Sequence, residues 1–425
     1  MSPAPQERAE HQVLRLIGRG AAVGTVWQVV RALSHLVWVV IVARLLGPDA
    51  YGKLAGAMGL AGALGTFTGL GLGLVMLLEV PRQLHTFGHA WYRALLMTIG
   101  SGVFLVALFV FVAPFVIGRA ASNQVLIAIG ISEIICFPIA VLCSFAFQTH
   151  ERMGWASAVY AAVPAASTMA AAACWISETQ PSLGTYIIYH AVASVATALF
   201  LVGVVRIRLR PPRSKFACSR TEALRGMELS IVRTADIALN TLDKTLVLRI
   251  GGGEMAGVYA VATRLAFALA LPIVTLSSAA LPRLSRLKAE PASSRDGLIR
   301  RLLAVTIGWG AAAALGMVVL GQVLPVILGP AYIAVAAVAS HLAALPALVG
   351  LCSLGCTVLL TSDRQRHRLT IQLFGLLVLV GTAVLFIPAY GLSGAATMVL
   401  LTQVLTASGL WLIIWTTRSK SVAGS

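Results

Sequence analysis

Charged side chains recur at helical spacing inside an otherwise apolar stretch near the middle of the chain. Five polar or charged residues stand at positions i, i+3, i+7, i+10 and i+11: Arg233, Asp236, Asn240, Asp243 and Lys244. At 3.6 residues per turn, these positions form one continuous polar stripe along a helix. A polar stripe in a membrane helix has to face a bundle interior or a water-filled cavity rather than lipid.

Further basic residues fall inside other apolar stretches, and together they outnumber the two carboxylates of the stripe. Guanidinium groups bind phosphate oxygens through paired hydrogen bonds, and a histidine adds positive charge at lower pH. The pattern therefore predicts a cationic site for an anionic substrate such as a phosphate or pyrophosphate. Its predicted substrate contacts are Arg31, His35, Arg233, Lys244 and Arg264.

An alternative interpretation makes the stripe structural. Arg233 would then pair with Asp236, and Asp243 would pair with its neighbour Lys244. Removal of one partner from such a buried pair leaves an uncompensated charge, which is strongly destabilising. Both interpretations remain open at this point.

Isolated acidic groups predict a different chemistry. Glu133 lies within the apolar segment GISEIICFP, where it could bind a proton or a cation, or form a helix–helix hydrogen bond. The candidate ion-coupling residues are therefore Asp236, Asp243 and Glu133, whereas His190 and His341 are interpreted as packed within their bundles. The six cysteines show no metal-ligand spacing, and no Walker, zinc-protease or serine-hydrolase motif occurs. The sequence predicts no enzyme activity, no cofactor and no metal site.

The composition places these residues in a membrane. Hydrophobic residues make up 58% of the 425 residues and charged residues 11%, whereas a soluble domain carries about 25% charged residues. The apolar runs are too long and too rich in Ala and Leu for a β-barrel, so an all-α integral membrane protein is predicted. The net charge of +17 lies in short loops rather than in a basic patch with aromatics, which argues against nucleic acid.

The apolar runs also predict the number and the orientation of the membrane spans. A span takes about 20 apolar residues. Twelve segments qualify, at about 20–43, 52–78, 92–117, 124–147, 155–176, 184–205, 229–250, 256–281, 302–328, 333–360, 370–388 and 391–415. When Lys53, Arg93 and Arg249 at the span ends are counted with the adjacent loops, the side that holds both termini carries 24 of the 32 Lys and Arg residues, the other side carries 4, and 4 lie inside spans. Both termini are therefore predicted to be cytoplasmic.

Similar landmarks occur in the same order in both halves, which predicts a repeat of six helices. LLGPDAYG after the first span corresponds to IGGGEMAGVYA after the seventh, and this match pairs Tyr51 with Tyr259. Because six spans is an even number, the two halves share one orientation. The predicted organisation is an N-terminal lobe (1–205), a basic cytoplasmic connector (206–228) and a C-terminal lobe (229–425), with a cleft suited to alternating access.

These landmarks resemble those of the O-antigen and exopolysaccharide flippases, a branch of the multidrug/oligosaccharidyl-lipid/polysaccharide exporter superfamily. That family carries an Asp-Arg or Asp-Lys pair, a glycine, an Ala/Val-Gly-x-Tyr turn and a Pro-x-Leu-Ser sequence. The corresponding segments here are Asp243-Lys244, GGG at 251–253, AGVY at 256–259 and PRLS at 282–285. The first half carries the matching segment ARLLGPDAYG.

The resemblance implies twelve transmembrane helices in two six-helix lobes with a V shape. It also implies an undecaprenyl-pyrophosphate-linked glycan as substrate, moved to the outer leaflet of the bacterial inner membrane for cell-surface polysaccharide biosynthesis. Membrane lipids are implied partners, and a polysaccharide polymerase is a further candidate. Transport would be coupled to protons, to sodium or to the membrane potential, or it would be pulled by downstream polymerisation.

Two other functions are compatible with parts of this pattern. A cation-coupled multidrug exporter of the same fold would need an acidic and aromatic cleft, whereas basic residues are in excess here. A membrane-embedded glycosyltransferase, glycan ligase or polymerase would need a sizeable outer loop, and every predicted outer loop is short. A purely structural membrane protein would have little use for the charged stripe.

Overall fold

The computed structural model describes residues 5–118, 121–212, 219–287, 292–362 and 364–422. Within these ranges the chain is helical and contains no strand, which confirms the all-α prediction. The helices of the first half are α1 (Pro5–Gly65), α2 (Leu72–Glu79), α3 (Phe87–Ile117), α4 (Asn123–Gly130), α5 (Phe137–Gln148), α6 (Met153–Ser177) and α7 (Leu183–Leu209). Those of the second half are α8 (Arg220–Arg286), α9 (Ala292–Leu328), α10 (Val335–His341), α11 (Leu345–Leu360) and α12 (Gln365–Val422). Part of the predicted connector, including Cys218, lies outside the described residues.

Nine helical segments of the described ranges are long and apolar enough to cross a membrane. Three helices are much longer than one span, since α1 has 61 residues, α8 has 67 and α12 has 58. At 1.5 Å per residue, each would measure about 90 Å if straight, against a hydrocarbon core of about 30 Å. Each is interrupted by one glycine with non-helical backbone, namely Gly47, Gly252 and Gly391. These breaks are compatible with twelve spans, although the number twelve stays a prediction.

The breaks in α1 and α8 fall within the two corresponding landmarks of the repeat. Gly47 has φ 70° and Gly252 has φ 83°, in a region that residues with a Cβ rarely adopt. Pro48 follows Gly47 directly, and a proline cannot supply the backbone N–H that would continue the helix. The sequence therefore encodes both breaks locally.

The described residues group into two compact units. The first, here unit 1, comprises residues 1–45, 60–115 and 121–234, and the second, unit 2, comprises residues 46–59, 116–120 and 235–425. Unit 2 thus receives two short segments from the first half of the chain, and unit 1 extends into the start of the second half. The lobe boundaries predicted from the repeat stay a prediction.

Unit 1 has an apolar core between α2, α3, α5, α6 and α7, with the buried side chains of Trp91 and Phe147 among its largest. The first turns of α8 are attached to this unit by polar contacts. Arg93 binds Glu222 at 2.5 Å, and the hydroxyls of Thr66 and Thr234 are 2.6 Å apart. These contacts place the start of the charged stripe within unit 1.

Unit 2 brings the two landmark turns against each other, backbone to backbone. A Cβ added at Gly257 would overlap the carbonyl group of Pro48, and one added at Gly52 would overlap the carbonyl oxygen of Gly253. Glycine is therefore required at these positions by the close approach of the backbones. Tyr51 and Tyr259, the tyrosines that the repeat pairs, are both fully buried here.

Candidate functional site

The predicted site residues divide equally between the two units. Unit 1 contains Arg31, His35, Glu133 and Arg233, and unit 2 contains Asp236, Asp243, Lys244 and Arg264. The two groups differ in how their charges are satisfied.

Asp243 and Lys244 form a buried ion pair in unit 2. Asp243 is fully buried and Lys244 is 6% exposed. The Lys244 Nζ atom donates to both carboxylate oxygens, at 2.9 and 3.1 Å, and also to the backbone oxygen of Asn240 at 3.1 Å. The hydroxyl of Tyr259 donates to Oδ2 of Asp243 at 2.8 Å. This geometry favours the structural alternative for the pair.

Asp236 is bound by two residues of α12 rather than by the predicted Arg233. Arg368 Nη2 lies 3.1 Å from Oδ2 of Asp236, and Gln372 Nε2 donates to Oδ1 at 2.8 Å. The Asp236 side chain is still 47% exposed, so its charge is partly solvated. The structural alternative pairs Asp236 with Arg233, whereas the cationic partner of Asp236 in the structure is Arg368.

The polar stripe of α8 continues into a hydrogen-bonded network with α12. Asn240 donates to the backbone oxygen of Asp236 at 2.8 Å, and its own side-chain oxygen accepts from Gln403 Nε2 at 3.3 Å. Gln403 in turn accepts from the thiol of Cys352 at 3.2 Å. The part of the stripe from Asp236 to Lys244 is thus hydrogen-bonded inside unit 2, as a polar surface of a membrane helix must be.

Arg264 is half-buried in unit 2 and contacts an aromatic ring. Its guanidinium carbon lies 5.5 Å from the ring centroid of Tyr51, within the range of a cation–π interaction. The repeat pairs Tyr51 with Tyr259, but their contacts differ. Tyr51 contacts the basic Arg264, whereas Tyr259 contacts the acidic Asp243.

Arg31 and Arg233 of unit 1 also contact aromatic rings. The Arg31 guanidinium lies 5.0 Å from the ring centroid of Tyr160, and that of Arg233 lies 5.8 Å from the ring centroid of Phe145. Neither forms an ion pair with a carboxylate in the described part of the chain. His35 is exposed on α1, and its ring stacks on Trp38 with centroids 5.3 Å apart.

Glu133 lies in a π-helical turn between α4 and α5, at residues 131–136. Its Oε1 is 3.7 Å from Nε2 of His190, which is 3% exposed. Both residues line a small pocket with Ser167, Ser194 and Thr197. π-helical turns are rare and occur often at functional sites.

Sequence reasoning missed several participants because their partners are distant along the chain. Arg368 and Gln372 lie more than 130 positions from Asp236. Gln372 and Gln403 are isolated polar residues in apolar stretches, a signal that could have marked them for attention. Across the described ranges, no three His, Cys, Asp or Glu side chains come together in an arrangement that could hold a metal ion.

A family model described as a polysaccharide biosynthesis protein matches residues 17–288, which is more than half of the chain. No curated protein sequence matches the chain at a significant level. Three solved structures illustrate the shared fold.

The lipid II flippase MurJ, in an inward closed conformation, superimposes with a TM-score of 0.71 at 10% identity, over 92% of this chain and 87% of that chain. An inward-facing multidrug resistance transporter of the MATE family gives a TM-score of 0.65 at 13% identity, over 94% and 99% of the two chains. A transporter of the MOP superfamily from Pyrococcus furiosus gives 0.61 at 12% identity, over 95% and 94%. For that protein, a reversed polarity of the binding pocket suggests a different function.

The structural matches cover 92–95% of the chain. The chain has their all-helical fold, and it belongs to the family of polysaccharide biosynthesis proteins.

Proposed function

We propose that the protein is a flippase for an oligosaccharide linked to a polyprenyl pyrophosphate of the undecaprenyl class. It moves this lipid by alternating access from the cytoplasmic to the outer leaflet of a bacterial inner membrane, with both termini in the cytoplasm. The family description and the fold shared with a lipid II flippase support a lipid-linked glycan as substrate.

The observation that carries the proposal is the environment of Arg31 and Arg233. Both are half-buried within apolar spans, where a charge facing lipid costs about 2.5–3.5 kcal/mol even on the lenient scales. Neither charge is neutralised by a carboxylate in the described ranges. The charges therefore need another counter-ion, which the pyrophosphate of the substrate would supply.

The aromatic contacts leave the required hydrogen-bond donors available. A guanidinium that lies over a ring uses its face, whereas its five N–H donors point outward in the plane. The guanidinium carbons of Arg31 and Arg233 lie 5.0 and 5.8 Å from the ring centroids of Tyr160 and Phe145, and their N–H donors are proposed to bind phosphate oxygens in pairs. His35 of the same unit is proposed as an additional contact, and Lys244 is proposed to stabilise the fold through Asp243.

A multidrug exporter is the second candidate because the fold is shared with MATE transporters. The polarity of the site argues against it, since uncompensated arginines repel a lipophilic cation. A glycan ligase or polymerase is disfavoured because the fold is that of transporters.

The test is transport by the purified protein in vesicles that contain a fluorescent polyprenyl-pyrophosphate N-acetylglucosamine, read by chemical quenching of the outer leaflet. The wild type should make both leaflets accessible. Arg31→Ala and Arg233→Ala should each lower the rate at least tenfold, and Arg31→Lys should retain part of it because the charge remains.

Arg300→Ala is the matched control, since Arg300 is an exposed arginine that precedes the span predicted at 302–328. Its rate should equal that of the wild type. Absence of lipid movement by the wild type, or normal movement by the Arg31→Ala/Arg233→Ala double variant, would refute the proposal. Export of ethidium by the wild type would instead support the multidrug alternative.

A further inference from the structure

The three candidate ion-coupling carboxylates differ in what surrounds them. Asp243 accepts hydrogen bonds from Lys244 and Tyr259, and Asp236 accepts from Arg368 and Gln372. Glu133, in contrast, has only His190 as a potential cationic partner among the described residues. A carboxylate that pairs with a permanent cation cannot take up a proton without breaking that ion pair. A carboxylate beside a neutral histidine can take up a proton without such a loss.

The geometry of the Glu133–His190 pair leaves room for a proton. The distance of 3.7 Å between Oε1 and Nε2 exceeds that of a hydrogen bond. Nε2 of His190 is buried and makes no hydrogen bond within the described residues. A buried polar nitrogen without a partner is destabilising, so a ligand that satisfies it is favoured.

The backbone around Glu133 is adapted to this position. A π-helical turn changes the direction of the side chains that follow and displaces backbone carbonyl groups from their helical partners. Here the carbonyl oxygen of Ile134 accepts from the hydroxyl of Thr68 at 2.8 Å. The distortion is therefore supported by a partner from another segment of unit 1 and is not an isolated irregularity.

His190 is connected to the helix that carries the predicted substrate contacts. Its Nδ1 is 3.5 Å from the hydroxyl oxygen of Tyr186, and that oxygen accepts from Nε1 of Trp38 at 2.7 Å. Trp38 stacks on His35 in α1. The chain of contacts thus leads from Glu133 through His190, Tyr186 and Trp38 to His35.

Protonation of Glu133 would change this chain in a defined way. Beside the ionised carboxylate, the ring of His190 carries its proton on Nε2, and Nδ1 is an acceptor for the hydroxyl of Tyr186. Once Oε1 of Glu133 is protonated, its O–H donates to Nε2, so the ring proton resides on Nδ1, which becomes a donor, and the hydroxyl of Tyr186 must reorient toward another acceptor. Nε1 of Trp38 in α1 donates to the same hydroxyl oxygen, so the reorientation of this hydroxyl alters the hydrogen bond between α1 and Tyr186.

We propose that Glu133 and His190 form a proton-binding site that couples transport to a proton gradient. The proton binds between Oε1 of Glu133 and Nε2 of His190, and its arrival is transmitted through Tyr186 and Trp38 to α1. This inference rests on the proposed function for its role in transport, but the site itself can be tested without a substrate.

The ionisable groups around the site are few in the described residues. Cys136 lines the pocket on the helix of Glu133, and Tyr186 contacts His190 from α7. The pocket residues contributed by α6 are Val163, Ala166 and Ser167, which carry no charge. Tyr160, one turn before them on α6, packs on Phe137 and contacts Arg31. The Glu133–His190 pair is thus the acid–base pair of this pocket.

The first experiment measures protonation directly. Infrared difference spectra of the purified protein between acidic and neutral pH should show a protonated-carboxyl band that includes a contribution from Glu133. Glu133→Gln should remove this contribution, and His190→Gln should change its frequency, because the hydrogen bond from the protonated carboxyl to the ring is lost. Glu254→Gln, which alters an exposed carboxyl, should leave the band unchanged. An identical band in Glu133→Gln and the wild type would overturn the site.

The second experiment measures coupling in the lipid-transport vesicles. An imposed pH gradient should accelerate transport by the wild type at least threefold, and Glu133→Gln should abolish the acceleration. Tyr186→Phe should keep the infrared band and lose the acceleration. An undiminished pH effect in Glu133→Gln, or a response to sodium alone, would overturn the inference while leaving the proposed function intact. If the wild type moves no lipid, the proposed function fails, and the infrared experiment still decides the site.

Discussion

Asp243 in unit 2 and Glu133 in unit 1 are both carboxylates within apolar spans, yet their surroundings differ. Asp243 is fully buried, and a lysine and a tyrosine satisfy both of its oxygens. Glu133 is partly accessible in a pocket, and its neighbour is a histidine at 3.7 Å. The comparison shows that an acidic residue inside a membrane protein is not by itself a functional signal. The number and the permanence of its partners separate a structural carboxylate from one that can change its charge.

The largest expected effect is at the Asp243–Lys244 pair. Asp243→Asn and Lys244→Met should each lower the free energy of unfolding by about 3–5 kcal/mol, because each leaves one buried charge without a partner. The double variant should recover most of the loss, since both charges are then absent. Thermal unfolding in detergent measures all three proteins. Lys53→Met is the control, because the Lys53–Asp49 pair is exposed and should contribute about 0–1 kcal/mol. A double variant as unstable as the single ones would contradict the structural assignment.

A smaller effect is expected at the paired tyrosines. Tyr259→Phe removes a donor to the buried Asp243 and should cost about 1–3 kcal/mol. Tyr51→Phe should be nearly neutral, because the buried Tyr51 hydroxyl has no hydrogen-bond partner within the described residues. The same unfolding measurement compares the two. Equal losses of stability in the two variants would contradict the difference in hydrogen bonding between Tyr259 and Tyr51.

The smallest effect is expected for Glu133→Gln. The substitution keeps the shape of the side chain and removes no short hydrogen bond described for it, so the free energy of unfolding should change by at most about 0.5 kcal/mol. Asp243→Asn is the matched comparison, since both changes replace a carboxylate by its amide. A loss of several kcal/mol in Glu133→Gln would assign Glu133 a structural role like that of Asp243.

The features that the sequence predicts well are those encoded by neighbouring residues. Long apolar runs predict the helices, and glycines beside Pro48 or within the GGG segment lie where α1 and α8 are interrupted. The Asp243–Lys244 pair is visible in the sequence because its members are adjacent. The same holds for the stripe, whose regular spacing predicts one polar face on a helix.

Features that depend on distant residues escape such reasoning. Spacing suggests Arg233 as the partner of Asp236, but tertiary packing brings Arg368 and Gln372 to that carboxylate instead. The π-helical turn at Glu133 is not predicted from the sequence pattern, because the segment around Ser132 and Glu133 reads as part of one continuous apolar helix. Its meaning depends on His190, which lies on α7 and which sequence reasoning treats only as a packed residue.

The contact between Gly52, Gly253 and Gly257 has a consequence for biogenesis. Residues 46–59 belong to unit 2, but their packing partners are synthesised about 200 residues later, on the order of ten to forty seconds at ordinary translation rates. During that interval the first turn and Tyr51 have no partner surface, and unit 1 still lacks the 220–234 segment that it binds. We therefore expect neither half, expressed alone, to accumulate as a stable membrane protein, whereas the two halves expressed together should stabilise each other. Replacement of the 46–59 segment by that of a related protein should prevent stable folding unless the segment around Gly253 and Gly257 is replaced with it.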